Sequence, residues 1–221
     1  MTAPFLDRAD AGRHLAESLR GYRSADAVVF GLPRGGVPVA AEVAGALHAP
    51  LDVIVVGKLG LPFEPEVAMG AIGEGGVRVL DLELIRRLGT TDAQVDLVDK
   101  RARAVLNTRI AVLEPYRFEE DLTGRVAIVV DDGIATGATL SAACEVLRRK
   151  GVRRVVVAAP VGAPEALRRV YGADEIVCLL RPRRFRSVGG YYQDFGQTSD
   201  ETVTALLRAH HGTTVGEGTG S

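Results

Sequence analysis

Val126-Ala-Ile-Val-Val130-Asp131-Asp132-Gly133-Ile-Ala135-Thr136-Gly137-Ala138-Thr139-Leu140 sets the architecture that the rest of the chain must fit. Five apolar, mostly β-branched residues read as a buried parallel strand. Two adjacent carboxylates stand at its C-terminal end. A Gly- and Thr-bearing loop follows, and then an Ala-rich helix from about residue 138 to Lys150. That order places backbone N–H groups and Thr hydroxyls at a helix N-terminus, where unpaired donors and the helix dipole stabilise a phosphate. The acidic pair just upstream suits sugar hydroxyls or a Mg²⁺-bound sugar phosphate. A ribose carrying a 5-phosphate would satisfy both halves. Asp-Asp-Gly is also ordinary turn chemistry, but a turn does not require the Thr-Gly-x-Thr that follows.

Outward from this stretch, strands and helices alternate. Phe5 to Tyr22 reads as an amphipathic helix, with Leu6, Ala9, Leu15 and Leu19 near one face and Asp7, Arg8, Arg13, Glu17 and Arg20 largely elsewhere. Strands are expected at 27–30, 51–56, around 155–157 and at 175–180, and helices at 38–48, 92–113, 164–171 and 199–210. Residues 57–76 suit a mobile loop leading into a hairpin, with edge strands at 68–72 and 77–80. The pattern predicts an α/β fold with a doubly wound, mainly parallel sheet, plus a flap hairpin and helical additions. It also predicts a single domain over residues 1–211 and a disordered tail at 212–221, where Gly and Thr recur without periodicity.

In such sheets ligands bind beyond the C-terminal strand ends. Four loops of chemical interest fall there: 31–36, 57–66, 131–139 and 181–195. In Gly31-Leu-Pro33-Arg34-Gly35-Gly36 the paired glycines let the backbone approach an anion, and Arg34 offers a bidentate fork for phosphate oxygens. Lys58 follows the second expected strand directly, as a phosphate-reaching cation or as a solvated loop lysine. The stretch 181–197 gathers Arg181, Arg183, Arg184 and Arg186 with Phe185, Tyr191, Tyr192 and Phe195. Two readings stand side by side. Phe185, Tyr191 or Tyr192 stacks a planar ring while Asp194 accepts a ring N–H, or the aromatics anchor the last helix and the arginines are solvated.

Formal net charge is −1, which gives no sign of a general nucleic-acid binder. Cys144 and Cys178, the only cysteines, read as buried free thiols. No apolar run approaches membrane-spanning length, and the early acids argue against a signal peptide, so a soluble cytoplasmic protein is expected. His14, His48, His210 and His211 show no metal-ligand spacing. The sequence contains no P-loop, no dinucleotide fingerprint and no nucleophile elbow.

The stretch from Val126 to Thr139 resembles, position by position, the phosphoribosyl-pyrophosphate (PRPP) signature of type I phosphoribosyltransferases. That resemblance implies the type I phosphoribosyltransferase fold. It implies that Asp131 and Asp132 contact the ribose 2- and 3-hydroxyls and touch Mg²⁺ through water. It implies that Ala135, Thr136, Gly137, Ala138 and Thr139 wrap the 5-phosphate, with Gly133 and Gly137 letting the loop curl. The loop at Pro33, Arg34, Gly35 and Gly36 resembles the family's pyrophosphate loop, where a strained or cis peptide often occurs. Lys58 resembles the family's basic position near the pyrophosphate. Catalytic roles are thereby expected for Asp131, Asp132, Arg34 and Lys58, and acceptor contacts for Tyr191 and Asp194. The Pro-Phe-Glu-Pro-Glu of the flap departs from the basic flaps of well-known members. Phe5 to about His210 also resembles a subgroup of predicted bacterial phosphoribosyltransferases whose acceptor is unassigned. Mg²⁺ as cofactor, PRPP and a nitrogenous acceptor such as a nucleobase as substrates, and a homodimer are what the resemblance implies. A PRPP-sensing regulator with little transferase activity is the alternative.

Overall fold

A computed structural model describes residues 3–118 and 120–214. The elements run α1 (Arg8–Ser18), β1 (Ala27–Gly31), α2 (Gly36–Leu47), β2 (Leu51–Val53), β3 (Val56–Gly60), β4 (Ala68–Gly73), β5 (Arg78–Leu80), α3 (Leu82–Arg87), α4 (Asp92–Leu113), β6 (Val126–Val130), α5 (Ala138–Arg149), β7 (Arg154–Val161), α6 (Pro164–Arg169), β8 (Glu175–Leu180) and α7 (Asp200–Thr214). Five strands form a wholly parallel sheet in the order β2-β1-β6-β7-β8, and β3-β4-β5 form a separate antiparallel sheet. This is the doubly wound arrangement expected. The last helix continues to Thr214, and residues 215–221 of the expected tail lie outside the described residues.

Alternation along each central strand builds two cores. Val29, Ile128, Val130 and Val156 face Leu15, Val39, Val43 and Leu207 on one side of the sheet. Val28, Phe30, Val129 and Val157 face Leu140, Cys144, Leu147 and Leu167 on the other. Because β1 and β6 are buried on both faces, their sequences read as continuous apolar runs. Helix α2 therefore covers one face and α5 the opposite one. Strand order reverses between β1 and β6, and at such a switch point the loops after neighbouring strands diverge and leave a crevice. Among the described residues no helix is long and apolar enough to cross a membrane.

The expected strand 51–56 is two strands. At Ile54 and Val55 the chain leaves the parallel sheet: Ile54 N–H still reaches Gly31 O at 3.4 Å, and side chains take the polar groups on either side. The Val55 N–H donates to Glu74 Oε1 at 2.7 Å, and Arg117 Nη2 donates to Val53 O at 3.0 Å. Arg117 also meets Glu74 Oε2 at 2.7 Å and Asp52 Oδ1 at 3.6 Å. Burial holds the Asp52 carboxyl above its usual range, against the pull of Arg117. Both halves of the run are buried, so apolar periodicity does not show the break. Part of the expected mobile loop is accordingly ordered strand: β3 pairs with β4, and β4 with β5.

This nearly buried ion cluster joins the two sheets. Removing one partner of such a cluster strands the others, at a cost of about 3–5 kcal/mol. Glu74→Ala, which takes a carboxylate from Arg117 and the acceptor from the Val55 N–H, should lose stability of that order in urea unfolding. A loss no larger than that of a surface substitution would show that the joint is held by apolar packing instead.

Candidate active site

The crevice between β1 and β6 is where the predicted residues meet. Paired register runs to Gly31 opposite Val130, so the loops leaving both strands start side by side. Leu32 N–H donates to Val130 O at 3.0 Å, and Asp131 N–H donates across to Ala158 O at 3.2 Å. Past Leu32 the Pro33–Arg34 peptide is cis, in keeping with what the resemblance implies for this loop. The next two residues lie directly on the acidic pair. A Cβ on Gly35 would overlap Asp132 Oδ2, and one on Gly36 would sit 2.6 Å from Val130 O and 3.0 Å from the Asp131 Cα. Only glycine permits that approach.

The two carboxylates have different surroundings. Asp131 Oδ1 accepts the Asp132 N–H at 2.9 Å. Burial and then the charge of Asp132 push the Asp131 carboxyl well above the usual carboxylate range. Asp132 is raised too, by burial, with Arg8 opposing. Its Oδ2 accepts from Arg8 Nε at 2.8 Å, and its backbone carbonyl accepts from the Tyr192 hydroxyl at 2.6 Å. The helix-face pattern puts Arg8 toward solvent, and the structure corrects this. Its side chain is only 13% exposed, donates through Nη1 to Gly196 O at 2.7 Å, and lies 3.9 Å over the Phe195 ring. Its partner is 124 positions away, and no local pattern announces such a pair.

Beyond the acids the loop turns into α5. Ile134 is pinned to β7, donating to Val161 O at 2.9 Å and accepting from Ala163 N–H at 2.8 Å. Ala135 and Thr136 are exposed. Gly137 takes a left-handed φ of 82° and caps α5 with no side-chain hydrogen bond. The first helical bond runs from Ser141 N–H to Gly137 O, leaving the amides of Ala138, Thr139 and Leu140 without an intrahelical acceptor. No side-chain cap hydrogen bond closes the helix mouth among the described residues, which suits an anion.

Asp131, Asp132, Gly35, Gly36 and the loop 133–139 are thus brought together. Other expected residues are engaged elsewhere. Lys58 does not follow a strand; it lies within β3, where its Nζ is 3.4 Å from Glu66 Oε2. Arg34 lies 3.7 Å from Asp200 at the start of α7. Tyr191 stacks on Phe185 with centroids 5.8 Å apart. Asp194 Oδ1 closes a local turn by accepting the Gly196 N–H at 2.9 Å. Tyr192 is buried against Phe5 and Phe195, so it packs on the segment that precedes α1. A cleft of about 820 Å³ between β4–β5, α3 and α6 reaches the loop 133–139 at Thr136 and Ala138 but does not include Asp131 or Asp132.

Among the described residues no three His, Cys, Asp or Glu side chains cluster to cage a metal. Two carboxylates alone do fit Mg²⁺ of the kind held by one or two carboxylates plus a substrate's phosphates.

Residues 5–183 match the family model described as phosphoribosyl transferase domain. A Mycobacterium tuberculosis H37Rv protein with a provisional phosphoribosyl transferase name is 52% identical over 208 residues, covering 93% of this chain. The chain spans 47% of that relative's length, about half. The crystal structure of TT1426 from Thermus thermophilus is 45% identical, with a TM-score of 0.78 over 93% of this chain and 98% of that one. AQ2163 from Aquifex aeolicus, 14% identical with a TM-score of 0.51 over 82% of this chain and 78% of that one, shares the fold alone. With the model match spanning most of its length and a relative above half identity, this chain belongs to the phosphoribosyl transferase domain family.

Proposed function

We propose that the protein binds PRPP with Mg²⁺ and transfers its phosphoribosyl group to a nitrogenous acceptor, releasing pyrophosphate. The observation that carries this reading is the contact of Gly35 and Gly36 with the acid pair, beside an uncapped helix mouth. One compact ligand with a sugar diol between two phosphate ends fits that arrangement. The loop 135–139 and the first amides of α5 hold the 5-phosphate. Asp131 and Asp132 take the ribose hydroxyls. The backbone at 33–36 faces the pyrophosphate, and the Arg34 guanidinium would swing from Asp200 to reach it. In the reaction the bond from ribose C1 to the pyrophosphate oxygen breaks, a bond from C1 to the acceptor nitrogen forms, and that nitrogen gives up its proton. Charge builds on the leaving pyrophosphate, so positioned donors matter more than a strong base. Mg²⁺, carried in on the donor's phosphates with Asp131 and Asp132 beside it, would offset part of that charge. The direct test is pyrophosphate release from PRPP over a panel of nitrogenous acceptors. Calorimetric binding of PRPP without turnover on any of them would support a PRPP-sensing role instead.

The acid pair also sets a trade between binding and stability. A carboxyl whose folded pKa is raised favours the fold in acid and costs stability as pH rises through that pKa. Asp131→Asn should therefore leave the fold at least as stable as wild type at neutral pH. The difference should vanish below the ordinary carboxylate pKa, while PRPP binding is lost. Asp132→Asn, at a carboxyl raised too but paired with Arg8, should gain less than Asp131→Asn, because the guanidinium loses its charged partner. Urea titrations at neutral and acid pH read both effects, and an Asp132→Asn variant more stable than Asp131→Asn at neutral pH would contradict this division.

Gly137→Ala separates the ligand's two ends. Its Cβ would meet Ala166 O at 2.8 Å from a left-handed backbone, displacing the first turn of α5. Affinity for ribose 5-phosphate and PRPP should fall together by at least about tenfold, or 1.4 kcal/mol, with inorganic pyrophosphate unaffected. A parallel loss of pyrophosphate binding would show that the 5-phosphate is held elsewhere.

A further inference from the structure

We propose that Arg8 is a positioning residue of the donor site: resting on the PRPP reading above, it fixes the Asp132 carboxylate and docks residues 188–196 against the acid pair. Its side chain starts from a rigid point. Asp7 caps α1 by accepting the Asp10 N–H at 2.7 Å, and Ala11 and Leu15 bury the helix against the body. The residues just before α1 pair with the C-terminal segment in strand fashion. Phe5 N–H donates to Tyr191 O at 3.1 Å, Gln193 N–H to Phe5 O at 2.9 Å, and Asp194 N–H to Leu6 O at 2.8 Å.

From that base the guanidinium touches three parts of the site. It holds Asp132 Oδ2, it donates to Gly196 O, and its face covers Phe195. The same Asp132 oxygen packs under Gly35, and a Cβ on Gly35 would come within 3.2 Å of Arg8 Nε. One side chain therefore sits where the loop 33–36, the acid pair and the C-terminal segment converge. Tyr192 grips the carbonyl of the same aspartate, and Val188 packs against Gly133 so closely that a Cβ there would collide with it. The carboxylate is held in one rotamer, and the wall beside it is held shut, by a residue from the other end of the chain. Preorganisation of this kind raises affinity by removing the ordering cost at the moment of binding.

The test is calorimetric titration of PRPP with Mg²⁺ into the full chain, combined with hydrogen exchange of the ligand-free protein. Arg8→Ala should weaken PRPP binding at least tenfold and speed exchange at Gln193 and Asp194. Millimolar guanidinium ion should recover part of the affinity, and Arg8→Lys should fall between wild type and Arg8→Ala. In an Asp132→Asn background Arg8→Ala should add little further loss. Leu113→Ala, which opens the core under α4 away from Arg8, should lower stability yet leave PRPP affinity unchanged. Wild-type affinity in Arg8→Ala overturns the proposal, as does an equal affinity loss in Leu113→Ala. If wild type itself binds no PRPP, the reading of the preceding section falls. The exchange data then decide alone: unchanged protection at 193–194 in Arg8→Ala refutes the docking role, and lost protection supports it.

Discussion

Two like charges share the end of one buried strand, and the parts of the structure around the site accommodate them. Asp131 and Asp132 both lose water on folding, which holds both carboxyls above their ordinary range, and the charge of Asp132 raises Asp131 further. Arg8 and Tyr192 secure one of the pair. The other accepts a neighbouring amide and feels Arg8 only as a charge nearby, among the described residues. That imbalance is unfavourable for a structural ornament and reasonable for a binding site, where a ligand supplies the missing partners. Strongly perturbed carboxyls in a crevice are often functional, and here the helix mouth beside them gives the perturbation a purpose.

Topology decides that these groups meet at all. In a parallel sheet every strand ends at the same edge, but only adjacent strands place their loops in contact. The order β2-β1-β6-β7-β8 makes β1 and β6 neighbours although about a hundred residues of chain intervene. Helix α2 then departs over one face and α5 over the other, opening the crevice. The glycine pair after β1 lets its backbone settle onto the acids after β6. A larger residue at either glycine would push the loops apart without disturbing the strands, so the fold would survive and the site would not.

What could be read from sequence follows the range of the interactions involved. The central strand, its acids and the following helix start are contiguous, and their chemistry is plain in residues 126–140. The glycines at 35 and 36 are legible because a close backbone approach leaves a compositional mark. The break at Ile54 and Val55 is not. Glu74 and Arg117 create it from distant positions, in a run that is apolar from Val53 to Val56. Lys58 is misplaced by sequence reasoning for the same cause, since it follows the unseen break and belongs to β3. Arg8 and Tyr192 resist for a related one. A helix-face pattern sorts residues into core and solvent, and it has no category for a charge that turns inward to meet a carboxylate supplied by another loop.

The two ends of the described chain therefore do more than cover the core. Phe5 and Tyr192 form a strand-like bridge, α1 packs on α2, and α7 reaches β2. These contacts are long in sequence, so their loop-closure entropy is recovered only when the sheet between them is already in place. The Arg8–Asp132 pair depends on that closure. Before it, Asp132 faces water beside Asp131 with nothing to orient it. After it, the carboxylate is fixed and its wall is built. Donor binding is on this view coupled to the docking of both ends onto the central sheet, and a substitution that frees α1 through Arg8 should impair the site even where the parallel sheet remains intact.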